Sequence, residues 1–211
     1  PLAVAVSLGL GYLSGALPWG LWLGRWVKGV DVRTLGSCNL GATNVYRSLG
    51  PVLGITTLVL DIAKGALPVA MVPGIGFTQA FPGGREWCLV AVAIAAVRGH
   101  MWTCFAGFRG GKGVATTVGV LLTLAPAAFA VFAVVFVAVV AITRYVSLGS
   151  VLGSLAFVVA LGLLADDGVR SPRFAVGLLL GLLVILRHRG NLARRARGTE
   201  RRFSWRGGQG T

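Results

Sequence analysis

Long apolar runs alternate with short polar stretches along this chain of 211 residues. A helix that crosses a bilayer needs about 20 mainly apolar residues. Runs of roughly that length, two of them short, occupy residues 2–24, 51–73, 86–99, 146–165 and 173–187. The run Val114–Ile142 is too long for one upright helix and contains Pro126, which lacks a backbone N–H donor. Dividing it at Leu124–Pro126 predicts an all-α polytopic membrane protein with seven transmembrane helices.

The basic residues predict the orientation of these helices. The net charge is +14, and most of the 20 Lys and Arg residues fall in loops on one side if the N-terminus is outside. That side includes the arginine-rich stretch from Arg187 to Arg206. Because Lys and Arg are retained on the cytoplasmic side, we expect a cytoplasmic C-terminus.

The composition agrees with a membrane protein. The chain is 55% hydrophobic with a mean hydropathy of +0.81, and 12% of its residues are charged, against about 25% in soluble domains. We expect one membrane domain, residues 1–200, and a basic cytoplasmic tail, residues 201–211. The basic residues lack interleaved aromatic side chains, so membrane lipid is the expected partner and nucleic acid is not.

Four polar patches fall on the cytoplasmic side of this predicted topology, at residues 36–47, 98–113, 143–150 and 187–200. Chance would place some of them on the outer face. Their common side therefore predicts a single active site that faces the cytoplasm.

The first patch, GSCNLGATNVYR, is dense in hydrogen-bond donors. Its glycines, Gly36 and Gly41, permit close approach of the backbone to a ligand, and its arginine offers a planar fork for phosphate or carboxylate. A loop that only caps a helix would favour the same residue types. The anion-binding interpretation assigns substrate contacts to Ser37, Asn39, Gly41, Thr43, Asn44 and Arg47.

The sequence Gly110-Gly111-Lys112-Gly113 precedes a predicted helix. Backbone N–H groups at a helix N-terminus attract anions, and Lys112 adds a full positive charge. The pattern is not a Walker A loop, because Ala106 stands where the first glycine is needed. The alternative is a flexible turn with a lysine that obeys the positive-inside rule.

Both histidines lie in the polar patches. His188 has Asn191 three residues later, so the two side chains can share a helical face. Neighbouring arginines favour the neutral imidazole, which suits a general base or a group that orients a hydroxyl. Within the second span, Asp61 and Lys64 are spaced to form a pair in the bundle interior, with either a functional or a structural role.

Several common active-site patterns are absent from the sequence. No HxxxxD acyltransferase motif and no GxSxG nucleophile motif occurs. The inner face has two acids, Asp31 and Glu200, which are too few for a magnesium site. The three cysteines, Cys38, Cys88 and Cys104, form no CxxC pair. We therefore expect no metal and no cofactor, and a substrate that is already activated.

The motifs resemble those of the bacterial acyl-phosphate:glycerol-3-phosphate acyltransferase family. The family patterns GSxNxGATNVxRxLG, GHxFPVFxGFxGGKGVAT and HRxNxxRxxxGxE are similar to the sequence at residues 36–50, 99–116 and 188–200. LDIAKG at 60–65 and SLGS at 147–150 also match in kind and order. Trp102 and Thr103 replace the usual Phe-Pro.

The resemblance implies transfer of a fatty acyl group from acyl phosphate to the 1-hydroxyl of glycerol 3-phosphate, giving lysophosphatidic acid and phosphate. It implies a catalytic set of Ser37, Arg47, Lys112, His188 and Asn191. The implied substrate-binding set is Asn39, Gly41, Thr43, Asn44, His100, Gly110, Gly111, Gly113, Ser147 and Ser150. Glu200 would be structural, pairing with arginines. The resemblance also implies a bacterial inner-membrane location. We expect a monomer.

Two other classes of protein remain open at this point. A transporter of organic phosphates or anions would also use several spans and a cationic patch, but its substrate groups should lie near the midplane. A membrane scaffold that acts through its basic tail would lose its function when residues 201–211 are deleted.

Overall fold

The computed structural model describes residues 1–76, 78–165 and 168–203, which form α-helices joined by short 3-10 turns and loops. No strand occurs in these residues. The all-α prediction is confirmed. In chain order, the α-helices are α1 (Leu2–Ala16), α2 (Trp19–Lys28), α3 (Ala42–Leu49), α4 (Pro51–Met71), α5 (Gly84–Met101), α6 (Val114–Leu124), α7 (Pro126–Thr143), α8 (Val146–Leu164), α9 (Pro172–Arg187) and α10 (Arg189–Ala196).

Helix length and apolarity give four to six candidate membrane spans within the described residues. Four are single segments: Pro51–Ile75, Gly84–Ala106, Pro126–Thr143 and Val146–Leu164. Two more are bent pairs, with bends of 41° between α1 and α2 and 47° between α9 and α10. Helix α6 is apolar but has 11 residues, fewer than a span requires. The count of seven and the orientation of the termini stay predictions.

The long apolar run divides where the sequence predicts. Helix α6 ends at Leu124, Ala125 is extended with φ −151°, and Pro126 is the first residue of α7. A proline is well tolerated at this position because the first N–H groups of a helix have no intrahelical partner. The predicted break at Leu124–Pro126 is confirmed.

The chain folds as two compact units, and the boundary lies between Leu124 and Ala125. Residues 204–211, which include most of the predicted tail, lie outside the described part of the chain. The predicted single domain of residues 1–200 stays a prediction.

Glycines allow close helix packing within the first unit. A Cβ on Gly15 of α1 would strike the carbonyl oxygen of Ala96 on α5. A Cβ on Gly65 of α4 would strike the carbonyl oxygen of Thr116 on α6. Such close approach of two backbones needs a residue without a side chain. These contacts hold α1 against α5 and α4 against α6, and the glycine loop at residues 110–113 lies between α5 and α6 in the chain.

Candidate functional site

The loop before α3 is built around the side chain of Asn44. This side chain is 4% exposed. Its Nδ2 donates to the carbonyl oxygens of Val32 at 3.1 Å, Leu35 at 3.1 Å and Asn39 at 2.9 Å. Its Oδ1 accepts from the backbone N–H of Ser37 at 2.9 Å. Because both ends of the amide bind loop backbone, the structure gives Asn44 a loop-holding role. Its substrate contact stays a prediction.

Two further residues of this loop bind each other. Asn39 Oδ1 accepts from the Gly41 N–H at 2.8 Å, an Asx turn that leads into α3. That amide is therefore used within the loop, and the substrate contact of Gly41 stays a prediction. The side chain of Ser37 is exposed, while Thr43 and Arg47 are half-buried on α3. The substrate contacts of these three side chains also stay predictions.

An acidic residue that the sequence analysis did not select stabilises the chain entering this loop. Asp31 Oδ2 lies 2.7 Å from Arg33 Nη2 and 2.9 Å from Arg25 Nη2. Hydrogen bonds from the Arg33 side chain hold the pKa of the Asp31 carboxyl well below its usual range. The same guanidinium reaches the carbonyl oxygen of Ala106 at 3.5 Å. The sequence pattern that could have indicated these ion pairs is an acidic residue between two basic residues in a polar loop.

The glycine loop, residues 110–113, lies against His100. Helix α6 begins directly after it, at Val114, as predicted. The Gly110 N–H donates to the Met101 carbonyl and the Gly111 N–H to the His100 carbonyl, both at 3.1 Å. A Cβ on Gly111 would strike His100 Nε2. Two amides predicted to bind phosphate are therefore engaged inside the protein, and the substrate-binding roles of Gly110 and Gly111 stay predictions.

A buried charged cluster lies behind the glycine loop. Lys64 Nζ is 2.7 Å from Asp61 Oδ1, and their side chains are 3% and 2% exposed. The predicted pairing is confirmed. The same ammonium donates to the Leu17 carbonyl at 2.7 Å, and His100 Nδ1 lies 3.8 Å from Asp61 Oδ1. The cluster encloses no cavity that could admit a water molecule. His100 is thus packed against protein groups, and its place among the substrate-binding residues stays a prediction.

In the second unit, Glu200 joins two of the predicted site residues. Its Oε1 accepts from Ser147 Oγ and from Asn191 Nδ2, each at 2.7 Å. The sequence predicted arginine partners for Glu200, whereas the structure pairs it with these two neutral donors. The hydroxyl of Ser150 donates to the Val146 carbonyl of its own helix at 2.9 Å. The substrate contact of Ser150 stays a prediction.

His188 occupies the bend between α9 and α10 and is 3% exposed. Its Nδ1 lies 2.7 Å from the Val184 carbonyl oxygen. Because a carbonyl oxygen only accepts, the proton belongs on Nδ1, and Nε2 is the accepting nitrogen of the neutral ring. In this tautomer Nε2 can accept a proton or a hydrogen bond, as a general base or a hydroxyl-orienting group must. The side chain is buried in this structure, and the catalytic role of His188 stays a prediction.

Comparison with known proteins gives matches along nearly the whole chain. The sequence profile of a family described as "Glycerol-3-phosphate acyltransferase" matches residues 5–198. A relative of that name from Anaeromyxobacter dehalogenans (strain 2CP-C) is 43% identical over 198 residues, covering 94% of this chain and 96% of the relative. A relative of the same name from Myxococcus xanthus (strain DK1622) is 47% identical over 195 residues, covering 92% of this chain and 96% of the relative.

Solved structures with a similar fold come from one integral membrane protein. The crystal structure of PlsY (YgiH), an integral membrane glycerol 3-phosphate acyltransferase, in its glycerol 3-phosphate form has a TM-score of 0.84 and 34% identity, covering 95% of this chain and 96% of that chain. The lysophosphatidic acid form of the same protein has a TM-score of 0.82 and 33% identity, covering 95% of each chain.

Proposed function

The chain belongs to the glycerol-3-phosphate acyltransferase family, and we propose that it moves a fatty acyl group from acyl phosphate to the 1-hydroxyl of glycerol 3-phosphate. The resemblance drawn from the three motifs is confirmed. The observation that carries the function is the full-length match to relatives of that name, together with a fold shared with PlsY. The protein is a multi-pass membrane enzyme of phospholipid synthesis. Nothing in these matches supports the transporter alternative.

Acyl phosphate is proposed as the donor because the sequence suits an activated substrate. An acyl phosphate is a mixed anhydride, so it needs neither a covalent enzyme intermediate nor a metal to make its carbonyl carbon electrophilic. Within the described residues, no three His, Cys, Asp or Glu side chains come together as a metal site would require. Cationic side chains would then stabilise the negative charge of the transition state.

The proposed step is a direct displacement at the acyl carbon. The 1-hydroxyl oxygen attacks the carbonyl carbon, an ester C–O bond forms, and the anhydride C–O bond breaks with its electron pair leaving on phosphate. The hydroxyl proton passes to His188 or to the departing phosphate. His188 and Asn191 would orient that hydroxyl. The acyl phosphate would be positioned by Ser37, Asn39, Thr43, Asn44 and Arg47.

Lys112 would supply the positive charge for the phosphate of glycerol 3-phosphate. Its place in the glycine loop supports this role, because the flanking glycines lie close against the end of α5 and limit where its backbone can go. Ser147 would act through Glu200, with which it shares a hydrogen bond. Both substrates carry phosphate, which agrees with polar patches that are rich in basic side chains.

We also propose the finer topology. The four single spans, the two bent pairs and the short helix α6 together would make seven membrane segments. The N-terminus would lie outside, and the C-terminus and the active site would face the cytoplasm of the inner membrane. The enzyme would act as a monomer. Reporter fusions placed after Ala165 and after Phe203 should report opposite sides; a common side would contradict the proposed topology.

The reaction can be tested with purified protein and labelled glycerol 3-phosphate. Lysophosphatidic acid should form when acyl phosphate is the donor, and a metal chelator should not reduce the rate. Acyl coenzyme A and acyl carrier protein should give no product. Turnover with either thioester would contradict the donor assignment. Uptake of glycerol 3-phosphate into vesicles containing the protein, without product formation, would support the transporter instead.

A further inference from the structure

The ion pair of Asp61 and Lys64 lies on α4 at the place where α4 contacts α6. Between these two residues, the Ile62 carbonyl oxygen lies so close to Gly119 of α6 that a Cβ there would strike it. Immediately after the pair, Gly65 makes an equally close approach to the Thr116 carbonyl. Helix α6 is the element that the glycine loop opens. A change in the ion pair would therefore shift α6, the helix that follows Lys112.

Asp61 is the shared partner in this cluster. Its Oδ1 is 2.7 Å from Lys64 Nζ and 3.8 Å from His100 Nδ1. The second distance is beyond a hydrogen bond, but it is short enough for a buried carboxylate to act on the imidazole electrostatically. The Lys64 ammonium also holds the end of α1 through the Leu17 carbonyl, and the Ser14 hydroxyl donates to the Lys64 carbonyl at 2.9 Å.

The imidazole of His100 transmits this arrangement to the glycine loop. One side of the residue faces Asp61, and its Nε2 lies where a Cβ of Gly111 would be. Its carbonyl oxygen accepts from the Gly111 N–H, and the next carbonyl accepts from the Gly110 N–H. A rotated or displaced imidazole would therefore push on the backbone one residue before Lys112.

We propose that Asp61, held by Lys64, is a positioning residue for the acyl transfer and acts through His100 on the glycine loop. The cluster has no room for a ligand of its own, so its polar groups serve the neighbouring loop and not a second substrate. The proposal rests on the proposed function in one respect, namely that Lys112 binds the phosphate of glycerol 3-phosphate. An ion pair kept only for folding would have no effect on that substrate once folding is preserved.

The test separates folding from positioning by removing both charges together. Breaking a buried pair by changing one partner leaves an uncompensated charge, whereas replacing both partners with neutral residues is often tolerated. The double variant Asp61→Asn/Lys64→Met should therefore keep its yield and thermal midpoint. Its KM for glycerol 3-phosphate should nevertheless rise about ten-fold or more, with a smaller change in kcat, since ångström-scale misplacement of a substrate-positioning group is costly.

His100→Gln should raise the same KM, and adding it to the double variant should cause no further increase. Residues that act through one another show such non-additive effects. The matched control is Thr57→Val, one turn earlier on α4, because Thr57 is fully buried and its hydroxyl donates to the Leu53 carbonyl of its own helix. Neither kinetic parameter should change in this control.

Binding of glycerol 3-phosphate, measured by calorimetry, provides a readout that does not depend on turnover. If the unmodified enzyme binds this ligand but forms no product, the proposed function fails, and the Kd of the double variant still decides the positioning proposal. A double variant with an unchanged Kd and KM would overturn it. Fully additive effects of His100→Gln would also overturn it, because Asp61 would then act by another route.

Discussion

Replacing Asn44 with alanine should loosen the loop before α3 and lower the stability of the enzyme. The side chain makes three donated contacts and accepts one hydrogen bond. A carboxamide has two N–H donors, so the three acceptors share them, and the equivalent of three hydrogen bonds is lost. At about 1 kcal/mol for each net hydrogen bond, the loss is about 3 kcal/mol. For a chain of this size, that lowers the thermal midpoint by roughly 6–12 °C.

The cysteines of the chain provide a direct assay for this loss. Cys88 on α5 is buried, whereas Cys38 and Cys104 are exposed. After the two exposed thiols are blocked in the folded protein, a thiol-reactive dye reports the unfolding that uncovers Cys88. The midpoint of this transition can then be compared between the unmodified protein and Asn44→Ala in the same detergent.

Thr43→Val is the matched control, since Thr43 is the neighbouring residue of α3 and a proposed substrate contact. We expect this variant to keep its thermal midpoint and to lose acyl transfer. Asn44→Ala should show the reverse order of effects, with instability as the primary defect and activity recovering when the assay temperature is lowered. An Asn44→Ala protein of unchanged midpoint and no activity at any temperature would refute the loop-holding role.

Three further outcomes are expected. Gly111→Ala places a methyl group on the buried imidazole, so overpacking should cost about 1–3 kcal/mol of folding free energy and lower the thermal midpoint. Displacement of the neighbouring Lys112 should also reduce acyl transfer by about ten-fold or more. Gly9→Ala, where a Cβ meets nothing within 4 Å, should be silent in both assays. Because Asp31 has a depressed pKa, its ion pairs stabilise the fold fully above its ordinary pKa of about 4. That contribution is lost as the pH falls, so the difference in thermal midpoint between the unmodified protein and Asp31→Asn should shrink in acid and should not grow. Asn191→Ala and Glu200→Ala should each lower the midpoint, because one hydrogen bond joins the two residues; a large loss for one and none for the other would contradict a shared network.

The sequence predicts the helices well because their signals are local. Apolar runs set the spans, and Pro126 alone is enough to place the break between α6 and α7. The pairing of Asp61 with Lys64 is also local, since residues three apart on a helix share a face. The bend between α1 and α2 comes with Leu17 and Pro18, inside a run that the hydropathy pattern treats as one span.

The candidate site is predicted only in part, because residue type shows what a group can donate but not which partner it meets. The Asn44 amide has the donors that an anion needs, and the loop backbone uses them first. Ser147 and Asn191 were expected beside a substrate, yet both also donate to Glu200, 53 and 9 residues away in the chain. Contacts at such sequence separations leave no local signal.

The internal bonding of the glycine loop bears on the proposed recognition of phosphate. A helix N-terminus attracts anions through unpaired N–H groups, but here the Gly110 and Gly111 amides already donate to carbonyls at the end of α5. In the proposed function, the whole charge of the Lys112 side chain would therefore supply most of the attraction from this loop. An ammonium group on a flexible stem positions a phosphate less precisely than a set of backbone amides does. The loop backbone that carries the lysine therefore has to be held in place by neighbouring groups. The close packing of Gly111 on His100, and of His100 beside the buried pair of Asp61 and Lys64, provides that support.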